Sequence, residues 1–322
     1  MDPRAVEVAG ALLAARSVVI GSHVDPDGDA VGSTLGLLLA ADAAGIPARV
    51  VAAEGGVCPP TYRFLPGSDR YEDAASLEPP DVFVAVDTPV PARLGDAGGL
   101  ARSAGTLVVI DHHPSEEPSF GDLRLVDETM AASACLVWAL LPALGVTPSV
   151  AMATCLYAGL LTDTGRFSYG NTDAATLRTA AAMVDAGAQP NAVYHAIYEN
   201  RSAAAQALVG RTLARVTLAN HGHVAYAWVT AADFAETGAT LAEAENLVDS
   251  VRAIGGVDVV FLAKDMGGTV SVSLRAKQTY DVSAVARQFG GGGHRAAAGF
   301  TFEGPLPELL DRLLPLLPGA AR

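Results

Sequence analysis

Several short apolar runs in this 322-residue chain end directly in aspartate or histidine. The clearest is Leu107–Ile110, which continues into Asp111-His112-His113. Continuous apolar runs of this length are typical of strands buried on both faces of a parallel sheet. In such sheets, ligands collect at the carboxyl ends of the strands. The pattern therefore predicts an α/β fold with acidic and imidazole side chains gathered at one edge of the sheet.

Apolar periodicity divides the chain into two parts. In the first part the predicted strands are Ser17–Gly21, Arg49–Ala52, Val82–Val86 and Thr106–Ile110, and the predicted helices are residues 1–16, Ala30–Ala44, Ala131–Leu144, Val150–Leu161, Ala174–Ala186 and Ala192–Asn200. In the second part the predicted strands are Val224–Val229, Val257–Ala263 and Thr269–Leu274, and the predicted helices are Leu241–Arg252, Val282–Phe289 and Leu306–Leu316. We expect an N-terminal parallel-sheet domain of residues 1–200 with helices on both faces, a connecting helix at 201–215, and a smaller α/β domain at 216–322.

Bulk properties exclude several classes of protein. The formal net charge of −14 is unlike that of a protein that coats long nucleic acid, which should be basic. No apolar run reaches the roughly 18 residues of a membrane span, so we expect no membrane contact. The three cysteines, Cys58, Cys135 and Cys155, lack metal-ligand spacing and indicate a reducing cytoplasm.

Four segments carry the candidate chemistry, and each has an ordinary interpretation when taken alone. In the Asp-rich turn that starts at His23, Asp29 could simply cap the helix beginning at Ala30. An EF-hand is excluded there by its spacing. Single aspartates after apolar runs are also common in turns. Together the segments supply His23, Asp27, Asp29, Asp87, His112 and Asp163. This set is sufficient for two metal ions with one shared carboxylate, and its oxygen and imidazole donors suit Mn²⁺ or Mg²⁺.

The second part of the chain offers a polar strand face. Ser271, Ser273, Arg275 and Lys277 alternate with apolar residues and therefore share one side of a strand. Further on, Gly290–Gly293 precedes His294-Arg295 and predicts a flexible loop whose backbone amides could bind phosphate. The alternative interpretation is a glycine hinge with solvated basic residues.

Four ordered segments resemble the motifs of the DHH phosphoesterase superfamily: GSHVDPDGDAVGS, VAVDTP, VVIDHHPS and LLTDTGRFSYGNT. Two more, SVSLRAK and GGGGHRAAAGF, resemble the signature of its DHHA1 domain. The resemblance covers nearly the whole chain and is strongest to the nanoRNase and pAp-phosphatase branch, which includes actinobacterial cyclic-di-AMP phosphodiesterases. It implies a cytoplasmic homodimer with two Mn²⁺ ions per chain, for which Mg²⁺ or Co²⁺ could substitute.

The resemblance also implies roles for individual residues. One ion would be bound by His23, Asp27 and Asp87, and the other by Asp29, Asp87, His112 and Asp163. Asp87 would bridge the ions, whereas Asp25 has no ligand role. His113 would face the substrate phosphate, with Asp111 orienting the histidine pair. The residues expected to contact substrate are Arg166, Ser273, Arg275, Gly291, Gly292, Gly293 and His294, with Arg275 and His294 reaching across the cleft to the phosphate as part of the catalytic set.

These roles describe a di-manganese phosphodiesterase in which a metal-bridged hydroxide attacks phosphorus and releases nucleoside 5′-monophosphates. The implied substrates are RNA of 2–5 nucleotides, cyclic or linear di-adenylate and 3′-phosphoadenosine 5′-phosphate (pAp). Three alternatives remain. An inorganic pyrophosphatase of the superfamily lacks the GGGGH segment, and a RecJ-like exonuclease adds a nucleic-acid-binding fold for which this chain has no room. A non-catalytic dinucleotide sensor would not need the complete ligand set.

Overall fold

The computed structural model describes residues 2–114, 120–277 and 280–320, apart from the side chains of Glu245, Asn246 and His294. The chain forms two compact units, Met1–Glu199 and Asn200–Arg322. Within the described ranges, no helix combines the length and the apolar character that crossing a bilayer requires.

The first unit is built on a six-stranded sheet in which every neighbouring pair is parallel. Its strands are β1 (Val18–Gly21), β2 (Ala48–Val51), β3 (Tyr71–Glu72), β4 (Val82–Val86), β5 (Thr106–Asp111) and β6 (Leu123–Val126). The order is β3-β2-β1-β4-β5-β6, so the direction of winding reverses between β1 and β4. Such a reversal opens a crevice at the carboxyl ends of the two strands. The predicted parallel sheet is confirmed, whereas the strands β3 and β6 were not predicted.

Helices cover both faces of this sheet, as predicted. They are α1 (Pro3–Ala14), α2 (Gly28–Ala43), α3 (Gly98–Ser103), α4 (Ser133–Leu140), α5 (Val150–Asp163), α6 (Ala174–Asp185) and α7 (Pro190–Tyr198). Ile20 and Val84 pack in one core with α1, α2, α4 and α5, while Val19 and Phe83 pack on the other side with α3. The alternation of strand side chains between two apolar cores explains why the strands are apolar at every position.

Two glycines bring α2 and α5 into close contact. A Cβ atom on Gly32 would lie 2.4 Å from the carbonyl oxygen of Cys155, and one on Gly159 would lie 2.8 Å from Oδ1 of Asp29. Side chains at these positions would push the helices apart. This contact holds Asp29, in the first turn of α2, beside the helix that ends at Asp163.

The second unit contains a mixed sheet of order β11-β12-β10-β9-β8-β7, in which only β8 and β9 pair in parallel. Its strands are β7 (Thr217–Ala219), β8 (Val224–Thr230), β9 (Val259–Asp265), β10 (Thr269–Ala276), β11 (Gly292–His294) and β12 (Ala297–Glu303). Its helices are α8 (Ala203–Ala214), α9 (Ala231–Thr237), α10 (Val248–Arg252), α11 (Val282–Arg287) and α12 (Leu306–Leu313).

Two details of the second unit differ from the sequence-based expectation. The helix expected at Leu241–Arg252 is a 3₁₀ turn, Ala242–Leu247, followed by the short helix α10. The loop expected at Gly290–Gly293 is half strand, because Gly292 and Gly293 pair with β12. Without side chains, the glycine run can approach β12 closely: a Cβ on Gly291 would lie 2.1 Å from the carbonyl oxygen of Gly299. The glycines therefore permit strand pairing as well as turning.

The two faces of this sheet are covered unequally. One face packs against α11 and α12 through residues such as Val272 and Phe300. On the other face α8, α9 and α10 pack over β8 and β9, through residues such as Val260 and Leu262. The side chains that β10 directs to this second face belong to neither core: Ser271, Ser273 and Arg275 are half-buried. The part of this second face formed by β10 and β12, which includes Ser271, Ser273 and Arg275, is therefore polar, and we call it the polar half-face.

Candidate metal centre

The loop after β1 supplies the first group of polar side chains. Asp27 caps α2, since its Oδ1 accepts hydrogen bonds from the backbone N–H groups of Asp29 (3.0 Å) and Ala30 (3.1 Å). The cap is therefore Asp27, and the alternative interpretation of Asp29 as the cap is wrong because the helix begins at Gly28, two residues before the expected Ala30. Asp29 is free of that role and is buried in the crevice.

The exposed Asp25 lies in the same loop, with a φ of 51°. Asp87, directly after β4, is buried and has a φ of 56°. Left-handed backbone is uncommon for residues other than glycine, and it often marks functional sites. At Asp87 it accompanies a carboxylate whose Oδ2 lies 3.5 Å from Nε2 of His23 and whose Oδ1 accepts a hydrogen bond from Ser133 Oγ at 2.9 Å.

The end of β5 supplies the histidine pair. His112 Nδ1 lies 3.2 Å from the carbonyl oxygen of Met130, so an Nδ1–H donating there leaves Nε2 unprotonated. His113 Nδ1 lies 2.6 Å from Oδ1 of Asp111 and 3.5 Å from Oδ1 of Asp87. The two histidines thus have different anchors: Asp111 holds His113, and a backbone carbonyl holds His112.

Asp29 and Asp163 face His112 from two helices. His112 Nε2 is 3.9 Å from Oδ2 of Asp29, 3.6 Å from Oδ1 of Asp87 and 3.5 Å from Oδ2 of Asp163. Asp29 also accepts hydrogen bonds from the backbone N–H groups of Ser133 (2.6 Å) and Ala134 (3.0 Å). These N–H groups belong to the first turn of α4, where the helix dipole favours a carboxylate.

All six predicted metal ligands lie in this one crevice. Ligand atoms approach within 4.8 Å of one another in three overlapping groups: His23, Asp27 and Asp87; Asp29, His112 and Asp163; and Asp87, His112 and His113. The first two groups match the two predicted ligand sets, except that Asp87 falls in only one of them. The distribution of ligands between two ions stays a prediction.

The electrostatics of this crevice are those of a cation site. Burial and the charge of Asp87 raise the pKa of Asp29 to about 7. Burial and the charges of Asp29 and Asp27 raise the pKa of Asp163 well above its ordinary value. Burial alone would also raise the pKa of Asp87, but the bond to His23 and the charges of His113 and His112 hold it below the ordinary value. Buried carboxylates that repel one another in this way are relieved by a divalent cation.

His112 provides an independent test of whether these residues fit a metal ion. Its Nε2 is buried and has no hydrogen-bond partner in the described part of the chain. A buried polar atom without a partner costs free energy, roughly 1–3 kcal/mol. Three carboxylate oxygens lie 3.5–3.9 Å from this nitrogen, a spacing that leaves room for a shared ion but not for direct bonds. The donor set therefore fits a hard or borderline divalent cation.

Three contributors to this centre were not predicted from the sequence. Ser133 bonds to both Asp29 and Asp87, and the carbonyl of Met130 fixes His112. Arg93 places Nη2 3.0 Å from His23 Nδ1 and 3.4 Å from the carbonyl oxygen of Val24. The only sequence signal was a serine that follows two alanines at the start of a predicted helix, which is weak.

The predicted substrate residues lie in both units. In the first, the exposed Arg166 follows Asp163 with a φ of 64° and stacks its guanidinium 5.0 Å from the ring centroid of Tyr198. In the second, Arg275 Nη1 donates to the carbonyl of Leu274 at 3.0 Å, and Arg275 Nε lies 3.8 Å from Asp249 Oδ1. Ser273 shares the face of Arg275, while Gly291, Gly292 and Gly293 lie at and before β11. The roles predicted for His294 concern a side chain outside the described part of the structure.

All three cysteines, Cys58, Cys135 and Cys155, are buried and free. Burial raises their pKa to about 11, 12 and 12 respectively, which keeps them as thiols. Cys58, Cys135 and Cys155 all belong to the apolar core of the first unit.

Comparison with known proteins agrees with this architecture. Residues 17–160 match the DHH family, N-terminal domain, and residues 221–318 match the DHHA1 domain. The bifunctional oligoribonuclease and PAP phosphatase NrnA of Thermus thermophilus is 36% identical over 301 residues, covering 92% of this chain and 88% of that protein. The cyclic-di-AMP phosphodiesterase PdeA of Listeria monocytogenes is 25% identical over 298 residues, covering 87% of this chain and 44% of that protein.

Among solved structures, an exopolyphosphatase-related protein from Bacteroides fragilis has the same fold, with a TM-score of 0.89 at 24% identity and coverage of 96% of this chain and 93% of that one. The fold, the order of the two matched domains and the extent of identity to NrnA agree with one another. This chain belongs to the DHH family, in the branch that carries a DHHA1 domain and includes NrnA.

Proposed function

We propose that this protein is a metal-dependent phosphoesterase that hydrolyses short oligoribonucleotides, linear and cyclic di-adenylate, and pAp to nucleoside 5′-monophosphates. The observation that carries the proposal is the crevice of four aspartates and two histidines at the switch point of the parallel sheet. The names of the relatives NrnA and PdeA support the reaction class and the kinds of substrate. The net charge of −14 favours short substrates over long nucleic acid.

Two Mn²⁺ ions are the proposed cofactor. The ligands would be His23, Asp27 and Asp87 for one ion, and Asp29, Asp87, His112 and Asp163 for the other. When bound, such a pair lowers the pKa of a coordinated water and neutralises phosphoryl oxygens. The unpartnered Nε2 of His112 and the raised pKa of Asp29 support this assignment. Carboxylate-rich donors favour Mn²⁺ or Mg²⁺ over zinc, which prefers thiolate and imidazole.

His113 is the residue proposed to stabilise charge on the substrate phosphate. Burial alone would lower the pKa of His113, but the hydrogen bond to Asp111 and the charge of Asp87 outweigh burial and raise it. In a buried site of this kind, a positive charge on the imidazole would interact strongly with a phosphoryl oxygen. Asp111 also fixes the ring by bonding Nδ1, which leaves the Nε2 edge as the proposed phosphate contact.

Phosphate binding is proposed for the second unit. Arg275 and His294, with Ser273 and the backbone of Gly291, Gly292 and Gly293, would contact the terminal or scissile phosphate. Charge-assisted bonds from guanidinium to phosphate are among the strongest available, and small residues leave the backbone accessible. The polar half-face of the sheet, which lies outside both apolar cores, supports this assignment. Arg166 would contact substrate from the first unit.

A substrate panel tests the proposal. Apo protein is titrated with Mn²⁺, and AMP release from pApA, cyclic di-AMP, pAp and an RNA pentanucleotide is then measured with Mn²⁺ and with chelator. We expect two ions per chain, turnover of at least one substrate in the panel, and no turnover with chelator. A single tightly bound zinc ion would contradict the assignment of two metal ions. Absence of turnover with two Mn²⁺ bound would favour a non-catalytic dinucleotide sensor.

Two further properties stay predictions. A cytoplasmic location is supported by the buried free cysteines. A homodimer is implied by the family resemblance, and sedimentation of the purified full chain would test it.

A further inference from the structure

The polar half-face of the second unit's sheet is arranged in rows. Residues directly opposite each other in antiparallel strands share a face, and residues two apart on one strand share it too. One row contains Arg275 of β10 with Val260 of β9 and Ala297 of β12. The next contains Ser273 with Leu262 and Gly299. Apart from Arg275, the positions on β10 and β12 in these two rows have small side chains: Ser273, Ala297 and Gly299.

A second cation lies two rows from Arg275. Ser271 is opposite Lys264 of β9 and Thr301 of β12. Four residues of extended strand separate this row from that of Arg275, a distance of roughly 14 Å. Lys264 is half-buried, and its ammonium group makes no hydrogen bond or ion pair within the described part of the chain. The whole chain has only two lysines. The ammonium group of the other, Lys277, donates a hydrogen bond to the carbonyl of Ile254.

The row beyond Lys264 has the opposite charge. Thr269 is opposite Glu303, and both are exposed. Along β10 the half-face therefore runs from a guanidinium, over a floor of serine and glycine, to an ammonium group and then to a carboxylate. A polyanion with regularly spaced phosphates would be attracted at the first two positions and repelled at the third.

We propose that Lys264 binds a second phosphate of an oligonucleotide whose first phosphate is bound at Arg275, and that Glu303 limits how far the chain extends. The half-face would thus select substrates by length. The inference rests on the proposed function, because it takes Arg275 as a phosphate contact. Serine hydroxyls and glycine backbone between the cations would leave room for the intervening sugars and bases. A mononucleotide or dinucleotide does not extend from Arg275 to Lys264, so only trinucleotides and longer chains would use the second position.

The test compares substrates of one sequence and different length. The variants are Lys264→Gln, Lys264→Arg, Arg275→Ala and, as a matched charge control on the side of the sheet covered by α11, Arg287→Gln. For each variant, kcat/KM is measured on pAp, a ribodinucleotide and a ribopentanucleotide. We expect Lys264→Gln to lose roughly tenfold on the pentanucleotide alone, about 1.4 kcal/mol, with Lys264→Arg restoring it and Arg287→Gln matching the parent.

Equilibrium binding gives a readout independent of turnover. The anisotropy of a fluorescent ribopentanucleotide is measured in EDTA over a range of salt concentrations. Loss of one phosphate contact should reduce the slope of log K against log salt by about 0.7 in Lys264→Gln, which a general loss of structure would not do. A parental slope with parental pentanucleotide turnover would overturn the proposal, and so would equal losses on all three substrates.

Two outcomes separate this inference from the proposed function. If Arg275→Ala turns over every substrate like the parent, the phosphate-binding role of the second unit fails. If Arg275→Ala loses activity but Lys264→Gln does not lose pentanucleotide turnover, only the length selection fails. Glu303→Gln tests the end of the half-face: it should raise kcat/KM on a decanucleotide two- to threefold, and an unchanged value would remove Glu303 from the proposal.

Discussion

The polar surfaces of the two units are constructed in opposite ways. In the first unit, Asp29, Asp87 and His112 are largely buried, and each makes a hydrogen bond with a neighbouring segment that fixes it. In the second, Ser271, Ser273 and Arg275 lie half-buried on a part of the sheet face that belongs to neither apolar core. Groups fixed in a low-dielectric crevice can place charge within fractions of an ångström, as chemistry at phosphorus requires. An open face of small side chains suits binding of substrates that vary in length.

The largest effect should come from the proposed bridging carboxylate. Asp87→Asn removes the charge but tolerates the left-handed backbone at this position, whereas alanine would add strain. Because Asp87 is the ligand proposed to be shared by the two ions, its loss should reduce kcat/KM on pApA by at least ~10³-fold, equivalent to about 4 kcal/mol. The matched control is Asp25→Asn, which has the same backbone conformation and no assigned ligand role. Equal losses in the two folded variants would mean that the first motif has been assigned wrongly.

The second prediction contrasts the units directly. Arg275→Ala and His294→Ala should retain two Mn²⁺ per chain, because neither residue belongs to the proposed ligand set. They should lose roughly 10- to 150-fold in kcat/KM on pApA, the value of a charge-assisted phosphate contact of about 1.5–3 kcal/mol. The measurement is metal stoichiometry alongside pApA kinetics. Parental turnover in both variants would return the glycine-rich segment to its alternative interpretation as a hinge.

The strand ends of the metal centre were predictable because their signal is local. A buried apolar run followed by aspartate or histidine must place those side chains at the carboxyl edge of the sheet, as at His23, Asp87 and His112. The supporting contacts were not predictable. The carbonyl that fixes His112 belongs to Met130, 18 residues away, and every residue carries a carbonyl. Its selection depends on how β5 and the segment before α4 pack, which no local pattern records.

The same contrast explains the errors in the second unit. Glycine runs have no side-chain periodicity, so the sequence could not distinguish a loop from the strand β11, which exists only because β12 lies beside it. Similarly, β10 showed a clear alternation of polar and apolar residues, but whether its polar face would be covered depends on helices distant in sequence. Local periodicity thus predicted the strand and its faces, and only packing revealed that the polar side chains of β10 lie outside both apolar cores.

The third prediction tests the supporting contacts of the first unit. Ser133→Ala removes the hydroxyl that donates to Asp87 while leaving the backbone N–H that donates to Asp29. Residues that orient metal ligands typically contribute 10- to 100-fold to metal affinity. We expect Mn²⁺ to bind about tenfold more weakly by calorimetry, with activity recovered at high Mn²⁺. Thr154→Ala, at a half-buried position of α5 where the hydroxyl donates to the carbonyl of Val150, is the control. Unchanged Mn²⁺ affinity would show that the hydroxyl is dispensable.

The smallest effect on activity, and a clear one on stability, is expected at a buried carboxylate of the second unit. Asp233 accepts hydrogen bonds from Arg215 Nη2 (2.8 Å), Arg211 Nη1 (3.1 Å) and the backbone N–H of Thr230 (2.8 Å). The bond to Arg215 outweighs burial and holds the pKa of Asp233 well below its ordinary value. Asp233→Asn should therefore lower the free energy of unfolding of this unit by roughly 2 kcal/mol near neutral pH, with turnover of pApA retained.

The pH dependence of this effect has a fixed sign. A carboxyl group whose pKa is lower in the folded state stabilises the protein fully above its unfolded pKa of about 3.9, and this stabilisation is lost as pH falls further through the folded value. The difference in free energy of unfolding between the parent and Asp233→Asn should thus be constant near neutral pH and shrink below about pH 4.

The fluorescence of Trp228, whose ring lies 5.9 Å from the Arg215 guanidinium, reports on unfolding of this unit in a Trp138→Phe background. The exposed Asp311→Asn on α12 is the matched control. If this difference in free energy grew on acidification, the protonated form of Asp233 would stabilise the fold more than the charged form. That result would contradict the stabilisation expected from its contacts with two arginines.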